Sequence, residues 1–513
     1  LTESERIPLT QNSVTLTSGQ PVPEFGAPSA EKKPKGFWPL VFTEFWERFS
    51  FYGLQAILTY YLLYSLKDGG LALNPSTAVA IVGAYGGGVY VTQLVGGWLA
   101  DRVIRPQNLV IYGSVIIICG HLSLASVPGL VGVGVGLPLI ALGTGALKSN
   151  ITAIIGMSMK SLDATQRDSG FTFYYAAINL GILIGPTITG FLQQDIGFHI
   201  AFGCAAVGMF ISLLQYTVKR HSLPDEARIV RDPASRQAIG VFIAAFVAVA
   251  VLLVIAVSTG LVSTEHLSVF IGIAAAGTAG TYFFVIIRSK NTSSAEKSGL
   301  IGYIPMWITE VFYQALLLQI FTTVPLIVTE RVDRNILGWD IPVGWFLTFG
   351  AIFGLSAQGL MASVGKNTVL GRASATRKFR IAMLGAALSY LMLLPIAWYS
   401  GPTVPAVLVL ASIGAIFCVE TFLAPIGFSI VSKVGPERYR TQLFALKHLA
   451  LAVGSTLATA ASWLYIAIGI VPFALAMGGI ALFAVVVLSL FSSRIEYKIG
   501  VGMAPSSTLQ SAQ

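Results

Sequence analysis

The chain has 513 residues, of which 55% are apolar and only 11% charged. A soluble domain carries about 25% charged residues. With a mean hydropathy of +0.76, the sequence excludes a water-soluble enzyme and points to the lipid bilayer as its solvent. The net charge of +9 would suggest nucleic acid in a soluble protein, so the position of the charges has to decide its meaning. Cys119, Cys204 and Cys418 all lie in apolar runs without metal-ligand spacing, and they read as small buried apolar residues.

Residues 1–36 are polar and rich in Pro, Ser and Thr. They lack the apolar stretch of a cleavable leader and read as a disordered cytoplasmic tail. A hydrocarbon core of about 30 Å needs about 20 apolar residues per helix. That length predicts fourteen spans, near 38–65, 77–100, 108–127, 131–157, 169–192, 199–218, 238–259, 266–288, 303–328, 342–364, 378–399, 404–433, 441–466 and 470–492. The third and fourth are separated only around Pro128 and Gly129. The short alternating segments of a β-barrel are absent.

Of the 32 basic residues, Arg48, Lys148 and Lys447 fall inside spans, and Lys67, Arg331 and Arg334 fall in loops on one side. The other 26 lie in the tails or in loops on the opposite side. This asymmetry places both termini in the cytoplasm and makes the net charge a topological anchor, not a nucleic-acid patch. A basic loop over 219–237 closes the first six spans, and a second basic stretch, Arg288 to Lys297, precedes the last six. The expected class is therefore an all-α membrane protein with two six-helix bundles and an inserted helix pair. Its parts are a 1–36 tail, a 37–220 bundle, a 221–300 linker with two extra transmembrane helices, a 301–493 bundle and a 494–513 cytoplasmic tail.

Seven ionisable residues sit inside spans: Glu44, Glu47, Arg48, Lys148, Glu310, Glu420 and Lys447. Each costs about 2.5–3.5 kcal/mol at a helix centre, so such groups pair within a bundle or line a wet cavity. Positions 44, 47, 48, 51, 52 and 55 share one face of the first span. Lys148 lies about ten residues from the cytoplasmic end of the fourth span, and it can neutralise the carboxylate that Arg48 does not, if the two spans pack together. Four carboxylates then face three fixed bases, and the unmatched one is suited to bind and release a proton. Gly86-Gly87-Gly88 and the glycines at 132, 134 and 136 lack the following Lys-Ser/Thr of a phosphate loop and read as helix-packing sites. ATP-driven transport is disfavoured, and no metal or cofactor site is expected. HExxH and paired-aspartate motifs of intramembrane enzymes are absent.

Glu44 to Gly53 resembles the ExxERFxYYG motif of the proton-dependent oligopeptide transporter family, within the major facilitator superfamily, with Phe51 replacing its first tyrosine. Tyr174 to Gly181 is similar to that family's FYxxINxG stretch, with Tyr174 in place of Phe. Gly96 to Arg102 resembles the superfamily's loop motif, and Glu420 to Gly427 the tenth-helix stretch. The resemblance implies a major facilitator fold and a proton-coupled symporter importing di- and tripeptides by alternating access. It implies proton coupling through Glu44, Glu47, Arg48 and Lys148. It implies substrate binding by Arg48, Tyr52, Tyr90, Lys148, Asn179 and Glu420, with cations at the peptide carboxylate and Glu420 and Asn179 at its amino group. The expected partners are peptides, protons and the bilayer. The expected state is a monomer in a cell membrane of bacterial inner-membrane type. Gln55, Gly350, Lys447 and Ser149 depart from the family's pattern, and the residues before Gln314 and Gln319 are Tyr313 and Leu318 where a glutamate is common. The alternative is a related carrier for another small zwitterionic or anionic solute, or an exporter.

Overall fold

The computed structural model describes residues 36–159, 164–230, 232–261, 263–336, 338–364, 373–398, 403–434 and 439–503. The tail expected over 1–36 lies outside the described residues except for Gly36, and 504–513 lies outside them as well.

The first bundle holds α1 (Phe37–Leu63), α2 (Pro75–Arg102), α3 (Pro106–Ser126), α4 (Gly129–Ser158), α5 (Ala164–Asp195) and α6 (Phe198–Lys219). α7 (Arg236–Ser258) and α8 (Leu267–Arg288) form the inserted pair. The second bundle holds α9 (Ser294–Leu317), α10 (Thr323–Arg331), α11 (Trp345–Val364), α12 (Ala375–Leu391), α13 (Ala406–Val434), α14 (Arg440–Ile468) and α15 (Ile470–Met503). α9 and α10 together make one span with a broken centre, so the described helices form the fourteen spans expected. Eleven of these spans are long and apolar enough to cross a membrane by that measure alone. The ninth span is longer than expected at Ser294–Arg331, and α15 continues to Met503 through the segment expected as a tail.

Local chemistry sets the helix ends. The Asn74 side chain accepts from the Thr77 amide ahead of Pro75 at the start of α2. Ser293 and Glu296 form a capping box that starts α9. Gly129, at φ +77°, makes the short turn between α3 and α4 that residues with a Cβ would resist.

α1 packs on α5 and α6, and α2 on α4. In the second bundle α9 packs on α14 and α15, and α11 on α13. α8 lies against both α2 and α14, while α7 reaches α2 through a stacked Trp98–Phe242 pair at 4.1 Å. Cys119 is exposed on the outside of this body and Cys204 and Cys418 are half-buried, which corrects the expectation of buried cysteines. An apolar thiol in a membrane helix can face lipid at no cost.

The two bundles meet along α2 with α14 and along α5 with α11. Among the described residues, the hydrogen bonds that join them lie in the half away from the chain ends or at mid-depth. Thr59 donates to the Phe321 carbonyl at 2.6 Å, Ser455 to the Gly83 carbonyl at 3.0 Å, Trp345 to the Thr187 carbonyl at 3.0 Å and Gln194 to the Asp340 carbonyl at 2.9 Å. The first of these has a local cause. Pro325 has no N–H for the carbonyl four residues back, so Phe321 keeps a free acceptor at the helix break. Gly83 admits Thr459 where a Cβ would collide with its hydroxyl. The far end is thus sealed by neutral bonds and close backbone contact.

Thr59→Val keeps the shape and leaves the buried Phe321 carbonyl without its donor. The sealed arrangement is expected to lose about 1–3 kcal/mol, read as a lower Tm of the purified protein. An unchanged Tm would mean that this bond does not hold the bundles together.

Candidate functional site

The charged stripe of α1 is buried: Glu44 is 0% and Glu47 1% exposed. Two close helix contacts bring its partners in. At Gly181 on α5 an added Cβ would lie 2.6 Å from the Cβ of Arg48 and 2.9 Å from the Phe45 carbonyl. That contact draws α5 onto α1 and sets Tyr174, two turns earlier on the same face, against Glu44. At Gly145 on α4 a Cβ would lie 2.5 Å from the backbone of Thr92, so α4 seats tightly on α2 with Lys148 one turn later.

The Lys148 ammonium donates to Glu44 Oε1, and the Tyr174 hydroxyl donates to Glu44 Oε2 at 2.7 Å. Arg48 forks onto Glu47, with Nε at 2.5 Å and a terminal nitrogen at 2.7 Å. Its Nε is 3.5 Å from Glu44 Oε1. Two carboxylates and two cations thus close a group that is neutral when all are ionised. Helix spacing favours Glu44, four residues before Arg48, as the arginine's partner. The structure instead gives its two-point contact to the adjacent Glu47. Lys148 takes the other carboxylate, Glu44, which the sequence left unnamed.

The guanidinium of Arg48 also lies over the rings of Phe51 at 5.0 Å and Tyr52 at 5.7 Å. Tyr90 on α2 is within electrostatic reach of Arg48, Tyr52 and Glu420, and Tyr52 is within reach of Arg48 and Glu420. Both phenols are therefore in electrostatic range of a cation of the first bundle and of the carboxylate of the second. Asn179 donates across the bundles to Gln358 Oε1 at 2.9 Å.

Of the eight residues singled out from the sequence, Glu44, Glu47, Arg48 and Lys148 form one group within the first bundle, Tyr52 lies beside Arg48, and Asn179 bonds across to the second bundle. Two contributors were missed there. Tyr174 is the position that departs from the FYxxINxG pattern, and its extra hydroxyl is the one on Glu44. Gln358, the partner of Asn179, carried no sequence signal. The departures also find places. Gln55 is buried with its Oε1 unpartnered among the described residues. Gly350 packs α11 onto α13, where a Cβ would lie 2.8 Å from Phe417 and Ile413. Lys447 pairs with Glu310. No group of His, Cys, Asp and Glu suited to a metal occurs among the described residues.

The POT family model matches residues 107–468 of the chain. A di-/tripeptide transporter of Lactococcus lactis subsp. cremoris is 31% identical over 434 residues, covering 82% of this chain and 87% of that protein. The uncharacterized transporter YclF of Bacillus subtilis is 33% identical over 427 residues, covering 83% and 86%. A crystal structure of a peptide transporter POT in complex with sulfate superposes with a TM-score of 0.85 at 32% identity, covering 91% of this chain and 96% of that one.

Lys148→Ala strands Glu44 and is expected to cost about 3–5 kcal/mol, with part of the loss recovered in Lys148→Ala/Glu44→Gln. Thermal unfolding of the two variants checks this. Equal Tm values for both would remove the pairing argument.

Proposed function

This chain belongs to the POT family, and we propose that it is a proton-coupled symporter that brings di- and tripeptides into the cell by alternating access. Membership makes it a multi-pass membrane transporter and not an enzyme. The peptide substrate, the proton coupling, the monomeric state and the site roles are our reading. One observation supports it most: Arg48 and Lys148 belong to the first bundle and Glu420 to the second, and Tyr52 and Tyr90 are in electrostatic range of both Arg48 and Glu420. A zwitterionic peptide needs opposite charges at opposite ends of its pocket. A guanidinium can take a carboxylate at two points, Glu420 offers an anion to the amino group, and Asn179, whose amide nitrogen donates to Gln358, offers its amide carbonyl.

Coupling follows from the cost of an unmatched charge. When the carboxylate of a peptide reaches Arg48 or Lys148, it displaces a glutamate from its cation. The released glutamate is then favoured to take a proton, since an ionised, unpaired carboxylate is expensive there. A peptide and a proton enter the site together for the same electrostatic reason. The basic residues of the tails and adjoining loops put the chain ends in the cytoplasm. On this reading the sealed far end faces outward.

A second reading, a carrier for another small zwitterionic or anionic solute or an exporter, draws on Gly350. Its packing against Phe417 leaves no room for an amide that could assist Glu420.

Uptake of labelled dialanine into proteoliposomes under an inward proton gradient separates the readings. Gradient-dependent uptake that unlabelled tripeptide suppresses supports peptide symport. Absence of uptake by folded, inserted protein contradicts it. Glu44→Gln and Glu47→Gln are each expected to abolish accumulation while the protein stays folded, and wild-type accumulation in both removes the coupling role. Glu420→Ala is expected to weaken peptides with a free amino group selectively, and equal weakening of amino-blocked analogues speaks against that assignment.

A further inference from the structure

The second bundle holds its own buried charge group. Glu310 on α9 and Lys447 on α14 are 2% and 4% exposed and form an ion pair. Glu420 on α13 has Lys447, Glu310 and Tyr313 as its polar neighbours. Tyr313 is itself fixed at the Ile416 carbonyl at 3.2 Å. Two carboxylates and one ammonium give the group a net charge of −1 when all are ionised, and the ammonium is bonded to Glu310. The open acceptors are visible: Glu310 Oε2 and Glu420 Oε2 are buried without a hydrogen-bond partner among the described residues.

Gly427 makes room for this arrangement. It lies two turns beyond Glu420 on the same face of α13, and a Cβ there would be 2.6 Å from Lys447 Nζ and 3.3 Å from each carboxylate oxygen of Glu310. Lysine carries its charge on a flexible four-carbon stem. A buried ammonium that loses its carboxylate is driven to the next one within reach. Lys447 is therefore an internal competitor for the anion that an amino group would use.

We infer that Glu310 is a positioning residue for the amine end of the pocket: by holding Lys447 it keeps that ammonium off Glu420 and leaves Glu420 open to the amino group of the substrate. The inference rests on the peptide reading above. It assigns the Glu310–Lys447 pair a part in substrate selection as well as in packing.

Glu310→Gln tests it, because the amide keeps the shape and gives up the charge. Inhibition constants are measured for dialanine and for N-acetyl-dialanine. The dialanine constant is expected to rise about tenfold, the N-acetyl constant to stay within about twofold, and Glu310→Gln/Lys447→Met to restore dialanine to within about threefold of wild type. A merely structural role weakens both ligands alike, and that result, or an unchanged dialanine constant, overturns the inference. A structure of the substrate-free Glu310→Gln variant gives a readout that needs no peptide. Lys447 bonded to Glu420 is expected, and Lys447 remaining in place or turned elsewhere refutes the inference. Failure of the wild type to bind dialanine would instead sink the peptide reading while leaving this structural test intact.

Discussion

A charge in a membrane interior must be matched, and the arrangement of α1, α4 and α5 follows from that constraint. Glu44, Glu47 and Arg48 occupy little more than one turn of a single helix, and Lys148 comes from another. Left separate, these helices would each hold unmatched charge at a cost of several kcal/mol per group. Brought together they form a neutral group with Tyr174 as a further donor. The glycines at 145 and 181 are the packing side of the same solution, since they let the backbones approach until the charges meet. A group balanced in this way is sensitive to any incoming carboxylate, which links the stability of the site to its proposed coupling.

The far-end seal obeys the same constraint differently. Gln55 stands where the resemblance implies an arginine, and Tyr313 or Leu318 where it implies that arginine's glutamate partner; retaining one alone would have stranded a charge. The bundles instead close through hydroxyl and indole donors on backbone carbonyls, among them Thr59 on Phe321 and Trp345 on Thr187. Such bonds are individually modest, about 0.5–1.5 kcal/mol each, and they carry no charge that must be rehydrated on opening. Opening is then a matter of exchanging several neutral contacts, not of breaking one ion pair.

Much of this was legible in the sequence because lipid simplifies the code. Hydrophobic length marks the spans, and the placement of basic residues is the argument for their direction. The cluster on α1 was visible because three charges so close together have no neutral explanation in a bilayer. Partner choice was less legible. The sequence put two carboxylates beside Arg48 without saying which it takes, and the two-point contact goes to Glu47. The Glu310–Lys447 pair joins residues 137 positions apart, and no local pattern announces it. Lys447 stood out only as a departure, and its meaning came from the helix that α14 packs against. The break between α9 and α10 was hidden for a similar reason: Pro325 signals a lost hydrogen bond, but not which donor from the other bundle replaces it.

The central claim is that movement of substrate and movement of a proton are one electrostatic event at the Glu44, Glu47, Arg48 and Lys148 group. The most direct measurement is the internal pH of proteoliposomes loaded with a pH-sensitive dye, on adding dialanine outside with no gradient imposed. The account predicts acidification of the interior that follows peptide entry and scales with it. Peptide entry with the internal pH unmoved would contradict it.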